Sequence, residues 1–205
     1  MRVSRYCCVE RVSRSRSLGQ TASVPRTRTN LDRSAKSEEI LVAAELQLRQ
    51  GGLPALSIAA IARELGVAQN AIYWYFASKD HLFVAVLERL LRAIVARKPP
   101  QRGDVGKQVA WFVDQIAEIE HLTAAMHQQS RRSTVVADFA AKLDATWRTM
   151  LSNVLAERVP DDERTVVAET LLATIQGLLA QRVSRTRRTR VLNFALERLA
   201  PRSAT

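Results

Sequence analysis

Two short apolar-periodic segments separated by a single glycine, in SIAAIARELGVAQNAIYWYFASK at residues 57–79, constrain this chain more than any other feature. In the first, Ile58, Ile61, Ala62 and Leu65 fall on one face of a helix. Ser57 stands where an N-cap hydroxyl is wanted. Gly66 ends the segment, because a residue without a Cβ enters the left-handed conformation at no steric cost. A second short segment follows at residues 69–76, and two short helices joined by a glycine-containing turn make a helix-turn-helix. Ala62 is small where the helices would cross, and Ile61, Leu65, Val67 and Ile72 supply the apolar wedge that fixes the crossing angle. An αα-hairpin in an ordinary helical bundle shares this pattern, so the exposed chemistry must decide between them.

That chemistry favours a nucleic-acid reader. Gln69, Asn70, Tyr73, Trp74 and Tyr75 crowd about two turns. A recognition helix presents its N-terminal residues to base edges in the major groove. Gln69 and Asn70 are amides able to pair bidentately with adenine. The hydroxyls of Tyr73 and Tyr75 can reach phosphate oxygens, and Lys79 adds a cation one turn later. Packing against neighbouring helices is the plainer reading of Trp74 and Tyr75, and a solvated charge is the plainer reading of Lys79.

The remaining pattern is helical throughout, with no sustained alternation of β-branched residues, so the expected fold is all-α without a sheet. A first helix is expected from near Ser34–Ser37, with Glu38 and Glu39 in its first turn and Gly51, Gly52 and Pro54 stopping it. Ser78 caps a long helix that ends before Pro99 and Pro100. Five further helices are expected near 104–118, 120–129, 133–158, 161–182 and 187–200. The domains read as a disordered basic arm at 1–33, a three-helix DNA-binding domain at 34–80, and a helical ligand-binding and dimerisation domain at 81–205 that begins with the long helix.

Charge supports a polyanionic partner without locating it. The net charge is +11, but residues 1–33 hold eight arginines against Glu10 and Asp32, while residues 34–80 are nearly neutral. The only cysteines, Cys7 and Cys8, are adjacent and cannot staple a fold, which fits a reducing cytoplasm. No apolar run is long enough for a secretory signal or a membrane span.

At residues 40–90 the sequence resembles the Tet repressor family of bacterial one-component regulators. Glycine turn, YWYF aromatics and SK cap occur there in register. The resemblance implies a base-reading role for Gln69 and phosphate contacts for Ser57, Tyr73, Trp74, Tyr75 and Lys79. It also implies a homodimer, a DNA operator and a small-molecule effector. Two departures stand out: Ala68 replaces the family's usual Ser or Thr before the recognition helix, and Ala59 and Ala60 stand where many members carry a base on the preceding helix.

The C-terminal part has no motif of its own. Val166, Val167, Leu171, Leu172, Ile175, Leu178 and Leu179 cover more than one face of the 161–182 helix, so it is expected to be buried on two sides, one of them against a partner. At least one of Leu172 and Ile175 is expected to face the partner, in a four-helix contact with the helix carrying Val191, Leu192, Phe194, Ala195 and Leu199. Trp111, Phe112, His121, Met126, His127, Phe139, Trp147 and Met150 are candidates to line a ligand cavity. Each apolar one has core packing as its plainer role. His121 and His127 are six residues apart, on different sides of a helix, and make a poor metal pair. No metal, cofactor or catalytic constellation is expected, and the basic run Arg182, Arg185, Arg187, Arg188, Arg190 reads as a solvated loop and helix start. Two other readings remain open: a helical carrier or enzyme retaining a vestigial DNA-binding fold, which predicts no DNA binding, and a nucleoid-type protein binding DNA without sequence preference.

Overall fold

The computed structural model describes residues 28–97 and 105–201, and every regular element among them is an α-helix. The order is α1 Arg28–Ala55, α2 Ile58–Glu64, α3 Gln69–Tyr73, α4 Lys79–Ala96, α5 Val105–Ala117, α6 Glu120–Gln129, α7 Thr134–Leu155, α8 Asp161–Ala180 and α9 Arg185–Leu199. The all-α expectation holds. None of these helices is long and apolar enough to cross a membrane.

Helix α1 corrects the reading of its own start. Residues 28–33, expected to be disordered, are helical. Extending an existing helix adds one hydrogen bond per residue fixed, so Arg, Leu and Asn can continue it without an apolar stripe. Glu38 and Glu39 therefore lie inside α1 rather than in its first turn. Glu38 serves instead, with Glu45, to hold Arg89 of α4: Nε of Arg89 donates to Oε1 of Glu38 at 2.9 Å, and Nη1 donates to Glu45. The Glu38 hydrogen bond outweighs the penalty of burial and raises the Arg89 pKa above its usual value. At Gly52 the backbone turns to φ 66° and breaks the helix where the glycine pair predicts, leaving one further turn through Pro54. The rest of the arm, with Cys7, Cys8 and Pro25, lies outside the described residues, as do Pro99 and Pro100.

Two apolar clusters organise the protein. The first joins α1–α4 to α6 and the start of α7 around Ile40, Leu48, Phe83, Leu87 and Leu122, all essentially sealed from solvent. The second joins α5, the end of α7, α8 and α9 around Leu155, Leu171 and Leu192. Trp147 of α7 is half-buried and packs against both.

Two expectations about the C-terminal helices are corrected in part. Leu172 is buried within the chain's own second cluster and Ile175 packs against it, so neither is free to face a partner. Helix α8 lies between α7 and α9, so its wide apolar arc, Val166 apart, is consumed inside one protomer. Its outward face is lined instead by Val166, Thr170 and Ala173. In the basic run, Arg188 is only 8% exposed. Its Nη2 donates to Oδ1 of Asp114 on α5 at 2.7 Å, and Nε of Arg185 donates to Oδ2 at 2.7 Å. Arg188 clasps α9 to α5, whereas Arg182, Arg185, Arg187 and Arg190 are exposed as expected, Arg185 reaching the same carboxylate from the solvent side.

Candidate nucleic-acid interface and ligand cavity

The helix-turn-helix is built by local chemistry. Ser57 Oγ accepts from the Ala60 N–H at 3.2 Å and caps α2, while its own N–H donates to Gln47 Oε1 of α1 at 2.9 Å. Ile61 and Ala62 are buried at the crossing, and Gly66 turns the chain at φ 64°. A Cβ at Gly66 would meet nothing within 4 Å, so the requirement there is one of conformation, not space. Ala68 offers no side-chain cap to α3, which leaves an N-terminal donor unsatisfied by the protein. Ser78 Oγ accepts from the His81 N–H at 3.3 Å and starts α4.

Buried Ile72 fixes which way α3 faces. Gln69, Asn70 and Tyr73 are exposed, and Trp74 is 82% exposed, so core packing does not account for it. Tyr75 does follow its plainer reading in part: it is half-buried against the first cluster. Lys79 is half-buried in the first turn of α4. Ala59 and Ala60 of α2 carry no side chain able to read a base. The face therefore combines two amides, two aromatic residues and few formal charges, the chemistry of hydrogen-bonded readout rather than of bulk phosphate attraction.

A cavity of about 420 Å³ lies between α5, α6, α7 and α8. Five of the expected residues line it: Phe112, Met126, His127, Trp147 and Met150. Trp111, His121 and Phe139 do not. The inward face of α5 carries Gln108, Val109, Phe112, Val113 and Ile116, so Trp111 is one residue out of phase and meets Phe112 edge-on at 5.2 Å from the side. His121 is out of phase on α6 in the same way, and Phe139 lies a turn short of the cavity on α7, against the first cluster. The polar lining other than His127 lies outside the expected set. Gln176 Nε2 donates to Asp144 Oδ1 at 3.0 Å, and Arg182, at φ 51° just beyond α8, lies 3.4 Å from Glu120. Asp144 was legible in principle, since it stands three residues before the expected cavity residue Trp147 on the same helix. No group of three or more metal-ligating side chains occurs among the described residues.

Helix α6 links the cavity to the start of α4. Helix α6 contributes Glu120, Thr123, Met126 and His127 to the cavity, and at its end Gln129 Nε2 donates to Asp80 Oδ1 of α4 at 3.1 Å.

Comparison with known proteins agrees with this arrangement. Residues 40–86 match the family described as bacterial regulatory proteins, tetR family. The chain is 28% identical over 189 residues to the HTH-type transcriptional repressor KstR of Rhodococcus jostii (strain RHA1), covering 85% of this chain and 88% of that one. Among solved structures, a transcriptional regulator from Rhodococcus sp. Rha1 superposes with a TM-score of 0.69 at 23% identity, over 82% of this chain and 99% of that one. A regulator from Saccharomonospora viridis, solved in complex with choline, gives a TM-score of 0.64 at 19% identity, over 80% of this chain and 96% of that one. Residues 40–86 thus carry the conserved segment of the tetR family of bacterial regulatory proteins, and over most of its length the chain is similar to transcriptional regulators.

Proposed function

We propose that this regulator is a homodimeric repressor which a small-molecule effector, held in the cavity between α5 and α8, releases from a near-palindromic operator. It acts in the cytoplasm as a binding protein, not as an enzyme. Residues 34–80 form its DNA-binding unit. Gln69 and Asn70 read bases, while Ser57, Tyr73, Trp74, Tyr75 and Lys79 anchor the backbone. Two recognition helices on one duplex must sit about one DNA turn apart, ~34–36 Å, so the operator mirrors the protein's two-fold symmetry.

The observation that carries the release step is the Asp80–Gln129 hydrogen bond, 3.1 Å long, between the first turn of α4 and the last of α6. Asp80 adjoins Lys79 and Ser78, so a shift of α6 bears directly on the end of the reading head. The energy required is modest: a coupling of ~1–3 kcal/mol changes operator affinity roughly 5–150-fold.

The test is selection of an operator from random duplex DNA, followed by anisotropy titration with and without compounds that bind the protein. A palindromic consensus with a bound stoichiometry of one dimer per site is expected, with affinity falling when the cavity is occupied. Binding that shows no sequence preference, or that is unchanged by every cavity ligand, overturns the proposal.

A further inference from the structure

We infer that the cavity takes a lipophilic organic cation, an amine or quaternary ammonium on an apolar body, with Asp144 as its counter-ion. This rests on the reading of the cavity as the effector site. The formally charged residues on its wall are Glu120, Asp144 and Arg182. Arg182 and Glu120 neutralise one another, with Nε and Oε1 3.4 Å apart. Asp144 has no such partner. It accepts a single hydrogen bond from the neutral Gln176 amide, and a carboxylate offers about four acceptor positions. The wall therefore carries one uncompensated negative charge.

Apart from Gln108, Thr123, His127 and Gln176, the rest of the wall is apolar, which raises the worth of that charge. In such surroundings an isolated carboxylate favours an entering cation and repels an anion. Trp147, one turn from Asp144 on α7, and Phe112 of α5 meet edge-on at 6.3 Å between ring centres and both line the cavity, which brings aromatic rings to the same space. A carboxylate effector would meet the Asp144 charge, while the charge of Arg182 is already offset by Glu120. The volume of about 420 Å³ leaves room for an apolar body beyond the charged head.

The experiment uses one body with three heads: 4-phenylbutylamine, 4-phenylbutan-1-ol and 4-phenylbutyrate, titrated by calorimetry into the full-length protein and into Asp144→Asn. The substitution keeps an acceptor for Gln176 and removes only the charge. The amine should bind at least about tenfold more tightly than the alcohol, with the butyrate weakest. In Asp144→Asn that advantage should vanish while alcohol affinity stays within about twofold, which also shows that the variant cavity is intact. Butyrate or alcohol binding as tightly as the amine, or an amine advantage that survives in Asp144→Asn, overturns the cation assignment and leaves the effector site standing. Failure of all three heads to bind removes both.

Discussion

Gln129 of α6 and Asp80 of α4 are joined by a hydrogen bond, Nε2 donating to Oδ1 at 3.1 Å, between a helix that lines the cavity and the helix that follows the helix-turn-helix. Neither residue lines the cavity or sits on the exposed face of α3. Both are half-buried, so the bond is partly shielded from competing water. Gln129→Ala should lower folding stability by only about 1 kcal/mol, the net worth of one such bond. Its larger effect should be on coupling: operator affinity without ligand stays near that of the wild type, while the ligand-induced loss shrinks about fivefold or more. Paired anisotropy titrations check this, and an unchanged ratio would place the coupling elsewhere.

Base reading and anchoring should separate cleanly on α3. Gln69→Ala is expected to relax preference at particular operator positions, at ~1–3 kcal/mol for each lost bidentate contact. Tyr73→Phe and Lys79→Ala should weaken all sequences alike. Repeating the operator selection with each variant distinguishes them. Unchanged specificity for Gln69→Ala would rule out its base-reading role.

The helix-turn-helix was legible because its instructions are local. Ser57, Gly66 and Ser78 do capping and turning work that depends on their nearest neighbours, and buried Ile72 is enough to orient Gln69 and Trp74 outward. The cavity was half legible because helical phase is a tertiary property. Phe112 enters it and adjacent Trp111 does not, and nothing within α5 alone says which. Arg188 was misread for the same reason: its partner Asp114 is 74 residues away, so the arginine looks like one more solvated charge in a basic run. The helical residues before Ser34 were missed because apolar periodicity marks where a helix packs, not where it starts.

The clasp between Asp114 and Arg188 yields a stability prediction. Removing one partner of a buried pair strands the other charge, so Asp114→Ala should cost about 3 kcal/mol. Adding Arg188→Met to that variant should recover most of the loss, because the methionine places no charge in the site. Chemical denaturation of the three proteins measures both steps. Equal stability of the single and double variants would show that Arg188 is well solvated without Asp114.

Dimerisation should respond to the outward face of α8 and α9 rather than to Leu172. Phe194 is 61% exposed and Val166 64% exposed, large apolar side chains on the two helices proposed to meet a second copy. Val166→Glu with Phe194→Glu should leave the fold intact and split the dimer, shifting the sedimentation coefficient to that of a monomer. Leu172→Glu should instead unfold the chain, since it buries a charge in the second cluster. If the Val166 and Phe194 double variant remains dimeric, the partner covers another surface.

The last prediction concerns where phosphate neutralisation comes from. The reading head has Lys79 and Arg63 but also Glu64 and Asp80, so its formal charges nearly cancel. Arg2, Arg5, Arg11, Arg14, Arg16 and Arg26 all precede Thr27, against Glu10 alone. Each phosphate contact contributes about −0.9 to the slope of log affinity against log salt. If these arginines lie along the backbone or in the adjacent minor groove, a chain beginning at Thr27, which keeps the whole of α1, should lose several units of that slope. Its operator preference should not change, because phosphates carry no sequence information. Non-specific DNA should be affected as strongly as the operator. A truncated chain with the full-length slope and affinity would show that Gln69, Tyr73, Lys79 and their neighbours suffice, and that the basic segment contributes nothing to binding.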